Sequence, residues 1–189
     1  MNIHRILQIS KAQRVHGRTL VFRNAVVKDA DFILSLRSDK EKSKYLSQTP
    51  AELSHQIAWL IDYAGKSDQA YFIIETKERE PLGTVRLYDA RSNSICWGSW
   101  ILKDGAPQSA AIESALMVYS YAANFLGFRQ AHFDVRKGNE NVWRFHERMG
   151  AERVGETASD YLYRIDIDGV LSTHPKYRKY LPKVVTVEW

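Results

Sequence analysis

The stretch that decides the interpretation of this chain is NENVWRFHERMGA, residues 139–151. Its apolar side chains recur every three or four residues up to a glycine, which predicts an amphipathic helix over 139–149 that ends at Gly150. Asn139 and His146 are seven residues apart, so they share one face of that helix, about 10 Å apart along its axis. Imidazole exchanges a proton near pH 7 and a carboxamide both donates and accepts hydrogen bonds, so this face can line a ligand site. The alternative is structural: Asn139 caps the helix and His146 is a core side chain beside Phe145.

A second informative stretch is WILKDGAPQSAAI, residues 100–112. It leads from a strand through a turn of small residues into the strongest predicted helix. The first amides of a helix lack internal partners and carry the positive end of its dipole, so a phosphate or diphosphate can bind there. The same residues also fit an ordinary helix start with Gln108 or Ser109 as the N-cap. Both interpretations stay open on this stretch alone.

Around these two stretches the hydrophobic pattern alternates between strand and helix periods. Glycines after the apolar helical runs mark where helices end. The order is α+β, with a mostly antiparallel sheet and two late helices that cross it. The predicted strands are 19–23, 70–76, 83–89, 94–102, 131–135 and 161–165, and the predicted helices open at Asp29 and cover 51–64, 112–126 and 139–149.

Composition narrows the class of protein. The 189 residues are 44% hydrophobic, carry a net charge of +5 and contain no tandem repeat, which predicts one folded domain rather than a disordered chain. Because Cys96 is the only cysteine, no internal disulfide or cysteine-type zinc site can form, and we expect a cytoplasmic protein with a structural thiol and no metal. No run of residues is apolar enough to span a membrane, and no lysine-rich tract indicates nucleic-acid binding. We therefore expect neither a membrane nor a nucleic acid as a partner.

The order of elements and residues 137–156 resemble the GNAT acyl-CoA N-acyltransferase superfamily. The resemblance is strongest to the branch of ribosomal-protein alanine and nucleotide-sugar aminoacetyltransferases. A second matching stretch is LGTVRL at 82–87, which is similar to the family's third strand. The positions that carry the family's Asn, Arg, Leu, Gly and Phe are Asn139, Arg144, Phe145, Gly150 and Ala151.

The resemblance implies the architecture of the whole chain. The expected fold is α+β: a mostly antiparallel mixed sheet of about seven strands flanked by about four helices and splayed between its fourth and fifth strands. We expect a single acetyltransferase domain over residues 1–189, with a core at about 18–166 and a C-terminal extension at 167–189.

Two departures from the family pattern affect the chemistry. The family's diphosphate loop usually has a central glycine where this chain has Ser109, and within 106–111 only Ala111 fits the pattern. A side chain there limits how closely the backbone approaches a ligand, although a hydroxyl can itself bond a phosphate oxygen. His146 stands where the family commonly has a tyrosine that protonates the departing thiolate. Histidine can fill that role because its ordinary pKa lies close to the working pH.

The function implied by the resemblance is acetyl-CoA-dependent N-acetylation, in which an amine attacks the thioester directly. His146 is the implied catalytic acid. No base is evident: Glu75, Asp89 and Glu113 are candidates that surface or capping roles also explain, and a chain of waters is the alternative. The residues implied to bind the cofactor acetyl-CoA are Trp100, Ile101, Leu102, Gln108, Ser109, Ala110, Ala111, Ile112, Asn139 and Trp143.

Acceptor recognition is expected at Arg37, Tyr45 and Arg86, because residues 37–46 look similar to the acceptor-side loop of the nucleotide-sugar branch. The expected acceptor is a small-molecule amine, an amino-sugar nucleotide for bacterial surface polysaccharide synthesis. The alternatives are a protein N-terminus or a polyamine as acceptor, and a non-catalytic CoA-binding or scaffold module. The basic and aromatic tail at 174–182 predicts a short packed helix or a subunit contact, and a homodimer stays open.

Overall fold

The computed structural model describes residues 7–39, 44–45, 52–173 and 175–189. Over these residues the chain forms a mixed sheet of nine strands and five α-helices. The strands are β1 (Arg14–His16), β2 (Leu20–Asn24), β3 (Ala70–Thr76), β4 (Pro81–Arg91), β5 (Ser94–Leu102), β6 (Gln130–Arg136), β7 (Glu152–Glu156), β8 (Asp160–Asp166) and β9 (Thr186–Glu188). The helices are α1 (Ala30–Ser38), α2 (Leu53–Gly65), α3 (Ser109–Tyr121), α4 (Glu140–Arg148) and α5 (Ile167–Thr173).

The strand order across the sheet is β7-β8-β6-β5-β4-β3-β2-β1-β9. Only β5 and β6 run parallel, and the other neighbouring pairs are antiparallel. Two parallel neighbours need a crossover, which α3 provides between them. The parallel pair is therefore also the place where α3 begins beside the sheet.

Apolar side chains cover both faces of the sheet. Successive strand residues point to opposite faces, so Phe72 of β3 belongs to one core and Ile73 to the other. The larger core joins the sheet to α3 and α5, and the smaller one joins it to α1 and α2. Both faces of the central strands are thus packed, which holds the ends of β5 and β6 in place.

The predicted fold class is confirmed: the protein is α+β and its sheet is splayed at the parallel pair. The described sheet has nine strands rather than about seven: the six strands located in the sequence are present, and β1, β7 and β9 were not predicted. The described helices number five rather than about four. The predicted helix start at Ala51 and most of the connection at 38–50 lie outside the described residues.

The long central helix begins earlier than its apolar period indicated. It starts at Ser109, and after Tyr121 it continues as a π-helical turn over Ala122–Leu126. Gly127 ends it with a φ of 87°, the left-handed conformation that glycine adopts most easily. Gly150 ends the region of α4 in the same way, with a φ of 99°.

The C-terminal segment completes one edge of the sheet. Val187 of β9 pairs with Val15 of β1, so residues far apart in sequence form the outermost ladder. The tail predicted as a short basic helix contains a single 3-10 turn at Pro175–Tyr177, and His174 lies outside the described residues. Tyr177 is buried and donates a hydrogen bond from its hydroxyl to the Arg148 carbonyl at 3.2 Å. No helix in the described part of the chain is long and apolar enough to cross a membrane.

Candidate active site

A break in strand pairing opens a cleft between β5 and β6. β5 pairs with β6 only from Ser94 to Cys96, where Cys96 faces His132. Beyond that point β5 contains a bulge opposite β4, and Ser99 there has a φ of 46°. The Thr84 hydroxyl donates to the Ser99 carbonyl at 2.8 Å, which ties the bulge to β4. Because a bulge bends the strand that carries it, β5 leaves β6 and a gap opens between them.

The gap is a cleft with a volume of about 250 Å³. One wall is residues 97–100 of β5 and the other is residues 133–136 of β6. Side chains from α4 and from the segment before it close the cleft on one side, and Tyr45 and Tyr88 also line it. The α4 region contributes Asn139, Val142 and His146.

His146 lines the cleft from within an aromatic cage. It is only 4% exposed, and its ring centroid lies 4.3 Å from that of Phe133 and 5.4 Å from that of Trp97. Its Nδ1 atom is buried and has no hydrogen-bond partner among the described residues. Burial alone lowers the pKa of His146 to about 3. The ring is therefore neutral at pH 7, and the premise that its pKa lies close to the working pH does not hold in this structure.

The start of α3 is open to solvent. The turn before it is mostly exposed, and Gln108, in the N-cap position, makes no side-chain capping hydrogen bond. The amide of Ala110 donates to the Pro107 carbonyl at 2.8 Å, so this one of the five predicted amides already has a partner. Small side chains at Ser109 and Ala111 leave the other early amides accessible to an anion.

Of the five remaining predicted cofactor residues, four lie in the cleft or on the separated part of β5, and one does not. Trp100 lines the cleft and donates from its indole to the Ser114 hydroxyl at 3.1 Å, and Ile101 and Leu102 continue the same strand away from β6. Asn139 is at the N-cap of α4 but makes no side-chain capping bond, so its amide is available to the cleft. Trp143 does not line the cleft: its indole donates to the Lys137 carbonyl at 3.2 Å.

Two of the predicted acceptor residues, Arg86 and Arg37, lie near the small core, whereas the third, Tyr45, lines the cleft. The Arg86 guanidinium lies over the rings of Trp59 at 5.3 Å and Tyr88 at 4.8 Å. Its Nε atom is buried without a partner among the described residues, and burial lowers the pKa of Arg86. Arg37 is close enough for its charge to act on Arg86. Tyr45 lies in the cleft beside Gly138, and residues 40–43 and 46–50 lie outside the described residues.

None of the three carboxylates considered as bases lines the cleft. Glu75 is buried and forms salt bridges with Arg14 at 2.9 Å and with Arg23 at 3.1 Å. Glu113 is buried and accepts hydrogen bonds from the Thr19 amide at 2.7 Å, the Thr19 hydroxyl and the Leu20 amide. Asp89 pairs with Arg91 and lies 3.5 Å from His132.

The buried thiol of Cys96 also has a structural environment. Burial raises the pKa of Cys96 to about 11, so the thiol is protonated at neutral pH and is a poor nucleophile. Several residues that line the cleft were not predicted from the sequence, among them Tyr88, Phe133 and Asp134. The alternation of β6 places Phe133 and Asp134 on opposite faces of the sheet, but it does not show that either residue borders a gap.

Comparisons with known proteins agree with this geometry. The family model for the acetyltransferase (GNAT) domain matches residues 19–152. The chain belongs to the GNAT acetyltransferase family. It is similar to the solved structure of apo FdhC, a nucleotide-linked sugar GNAT, with 36% identity and a TM-score of 0.78 over 91% of this chain and 97% of that one.

More distant structures share the fold alone. A GCN5-related N-acetyltransferase from Brucella melitensis has 16% identity and a TM-score of 0.75 over 93% of this chain and 88% of that one. A spermidine N-acetyltransferase from Vibrio cholerae, in complex with CoA and spermine, has 15% identity and a TM-score of 0.73 over 82% and 99%. No curated protein sequence matches the chain significantly.

Proposed function

We propose that this protein transfers an acetyl group from acetyl-CoA to the primary amine of a nucleotide-linked amino sugar. The observation that supports the transfer most directly is the cleft between β5 and β6, which reaches the His146 ring. The nucleotide-sugar acceptor is supported by the 36% identity to a nucleotide-linked sugar GNAT. The cytoplasm is the compartment we propose, because a lone thiol stays reduced there. We keep the homodimer as an untested prediction.

The residues present fit acetyl-CoA. The start of α3, where Gln108 makes no side-chain capping bond, offers amides and small side chains to a diphosphate, with Gln108, Ser109 and Ala111 as its contacts. The part of β5 that has left β6 offers backbone groups to an extended arm, and Asn139 offers an unbonded carboxamide. The unpaired Nδ1 of His146 is a buried polar atom that a bound molecule would satisfy. When bound, acetyl-CoA supplies an acetyl group activated as a thioester.

The side chains and backbone of this protein then have three tasks. Backbone amides near the Ser99 bulge stabilise negative charge that develops on the thioester oxygen. The walls of the cleft orient the two reacting groups, which replaces a slow encounter in solution. The neutral His146 ring keeps one N–H, so it acts as a hydrogen-bond donor in the cleft rather than as an imidazolium acid.

The charge of the acceptor side favours an anionic substrate over a polyamine. Arg86 and Arg37 lie near each other, and Arg86 is partly withdrawn from water. A cation in such a site attracts phosphate and repels the several ammonium groups of a polyamine. The net charge of +5 has the same effect at longer range. A nucleotide diphosphate is therefore the acceptor feature that we propose these arginines bind.

An acceptor panel tests this function. Acetyl transfer is measured with acetyl-CoA and three amines: UDP-glucosamine as a nucleotide-linked amino sugar, spermidine, and a tetrapeptide with a free N-terminus. We expect the nucleotide-linked amino sugar to give the highest kcat/KM. Faster transfer to spermidine or to the peptide would overturn the proposed acceptor but not the transfer itself. No calorimetric binding of CoA at millimolar concentration would overturn both.

A further inference from the structure

Asp134 is the one carboxylate among the described residues that lines the cleft. It lies on β6, past the point where β5 has separated, and its side chain is exposed to solvent in the open cleft. Within the part of the chain that the structure describes, Asp134 has no hydrogen bond and no ion pair. Among the described residues, the cleft therefore presents one carboxylate that no other side chain pairs with.

The strand register fixes the side of the sheet on which Asp134 lies. Pairing of β5 with β6 stops at Cys96 and His132, so two residues further on Asp134 and Gly98 line opposite walls of the gap. The neighbouring Phe133 points to the other face, where it packs on His146. Gly98 adds no side chain to the gap, and a Cβ there would lie 3.1 Å from the Tyr88 hydroxyl. The imidazole and the carboxylate therefore reach the cleft from opposite faces of the sheet.

The titratable neighbours of Asp134 leave its charge available. On its own strand, Arg136 is paired with Asp160 at 3.0 Å, and His132 is hydrogen-bonded to Ser94 at 2.8 Å. Burial is the main cause that raises the pKa of Tyr88, with the nearby Cys96 and Asp134 adding to it, so its phenol is neutral. The remaining groups that face the cleft or lie next to it are the neutral His146 on α4, the protonated Cys96 on β5, Tyr45, and Arg86, which lies beyond the Tyr88 ring on β4.

We propose that Asp134 binds the ammonium group of the acceptor and takes its proton before attack. The acceptor enters as R–NH₃⁺ and loses one proton to the Asp134 carboxylate, which releases it to solvent. The nitrogen lone pair then forms the N–C bond to the acetyl carbonyl carbon while the C–S bond breaks, and sulfur keeps the bonding pair. The second proton of the nitrogen ends on that sulfur, so the products are the amide, the thiol and one proton.

This assignment gives the two sides of the acceptor site opposite charges. Arg86 and Arg37 provide positive charge near the small core, whereas Asp134 provides negative charge in the cleft. An amino-sugar nucleotide has matching charges, with an anionic diphosphate at one end and a cationic amine at the other. The inference rests on the proposed transfer of an acetyl group to an amine, and it holds for whichever amine the protein accepts.

The test compares Asp134→Asn with wild type from pH 6 to pH 10 on the best acceptor of the panel. Asparagine keeps the size of the side chain but cannot take the proton, so we expect kcat/KM at pH 7 to fall about 10²–10⁴-fold. The loss should shrink as pH rises, because the amine then loses its proton to solvent. Glu78→Gln, which removes an exposed carboxylate outside the cleft, is the matched control and should match wild type.

A binding measurement separates recognition of the amine from general damage. Calorimetry compares UDP-glucosamine with UDP-N-acetylglucosamine, in which the same amine is capped. We expect Asp134→Asn to weaken binding of the free amine and to leave binding of the capped one unchanged. Two results would overturn the role of Asp134. One is wild-type kcat/KM in the variant. The other is a loss of kcat/KM that is equal at every pH, together with an equal loss of affinity for both sugars. A wild-type protein that acetylates no amine would instead overturn the proposed function and this inference with it.

Discussion

The burial of His146 makes the stability of this protein depend on pH in a way that one substitution should remove. The pKa of His146 is lowered to about 3 in the folded chain, against about 6.5 in an unfolded one. Below pH 6.5 the unfolded chain binds the extra proton, so this contribution to stability is fully present above pH 6.5 and is lost as pH falls towards 3. At about 1.4 kcal/mol per pH unit, lowering the pH from 7 to 5 costs about 2 kcal/mol through this one group.

The perturbation is His146→Phe, measured by urea unfolding at pH 7 and pH 5. Phenylalanine fills the aromatic cage without a titratable nitrogen, so the variant should lose about 2 kcal/mol less than wild type between the two pH values. Other groups titrate equally in both proteins, and their contributions cancel. His55→Phe replaces an exposed histidine and should behave as wild type. Equal losses in wild type and His146→Phe would refute the buried neutral ring on which our account of the cleft depends.

Three further substitutions probe other parts of the site. Ser109→Glu places a negative charge at the start of α3 and should weaken CoA binding at least about tenfold in calorimetry, because like charges repel. Glu113→Gln turns an amide donor towards the Thr19 and Leu20 donors and should lower the free energy of unfolding by about 1–3 kcal/mol without changing CoA affinity. Arg86→Met should raise the KM for a nucleotide-linked amino sugar more than the KM for acetyl-CoA.

Matched controls keep these outcomes interpretable. Ser109→Gln adds similar bulk without charge, so a loss of affinity as large as that of Ser109→Glu would point to crowding instead of electrostatics. Glu78→Gln removes an exposed carboxylate and should leave stability unchanged. Arg129→Met removes a surface arginine paired with Asp168, and an increase in the KM for the sugar as large as that of Arg86→Met would indicate a general charge effect.

The sequence predicted the elements whose signals are local. The apolar period of α3 and α4, together with the glycines that follow them, indicated two helices and their ends. Gly127 and Gly150 have the positive φ that such ends require. The two short strands at one end of the sheet gave no comparable signal: β1 and β9 have three residues each, and their pairing joins positions about 170 residues apart. A ladder of that kind depends on tertiary packing that a local pattern does not contain.

The candidate site likewise has features that the local sequence predicts and features that depend on tertiary packing. The helix face with Asn139 and His146 could be predicted because helical geometry alone places them together. The pKa of His146 could not be predicted, because it depends on burial against Phe133 and Trp97, which lie on the strands β6 and β5. Asp134 was missed because an aspartate at an alternating strand position is an ordinary surface pattern. Only the register at which β5 leaves β6 shows that this position faces a cleft.

A crystal structure of the protein with CoA tests the central claim most directly. We expect the diphosphate against Gln108, Ser109 and Ala111 and the thiol in the cleft between β5 and β6, next to the His146 ring. Density for CoA on another surface, with the start of α3 and this cleft filled only by solvent, would contradict it.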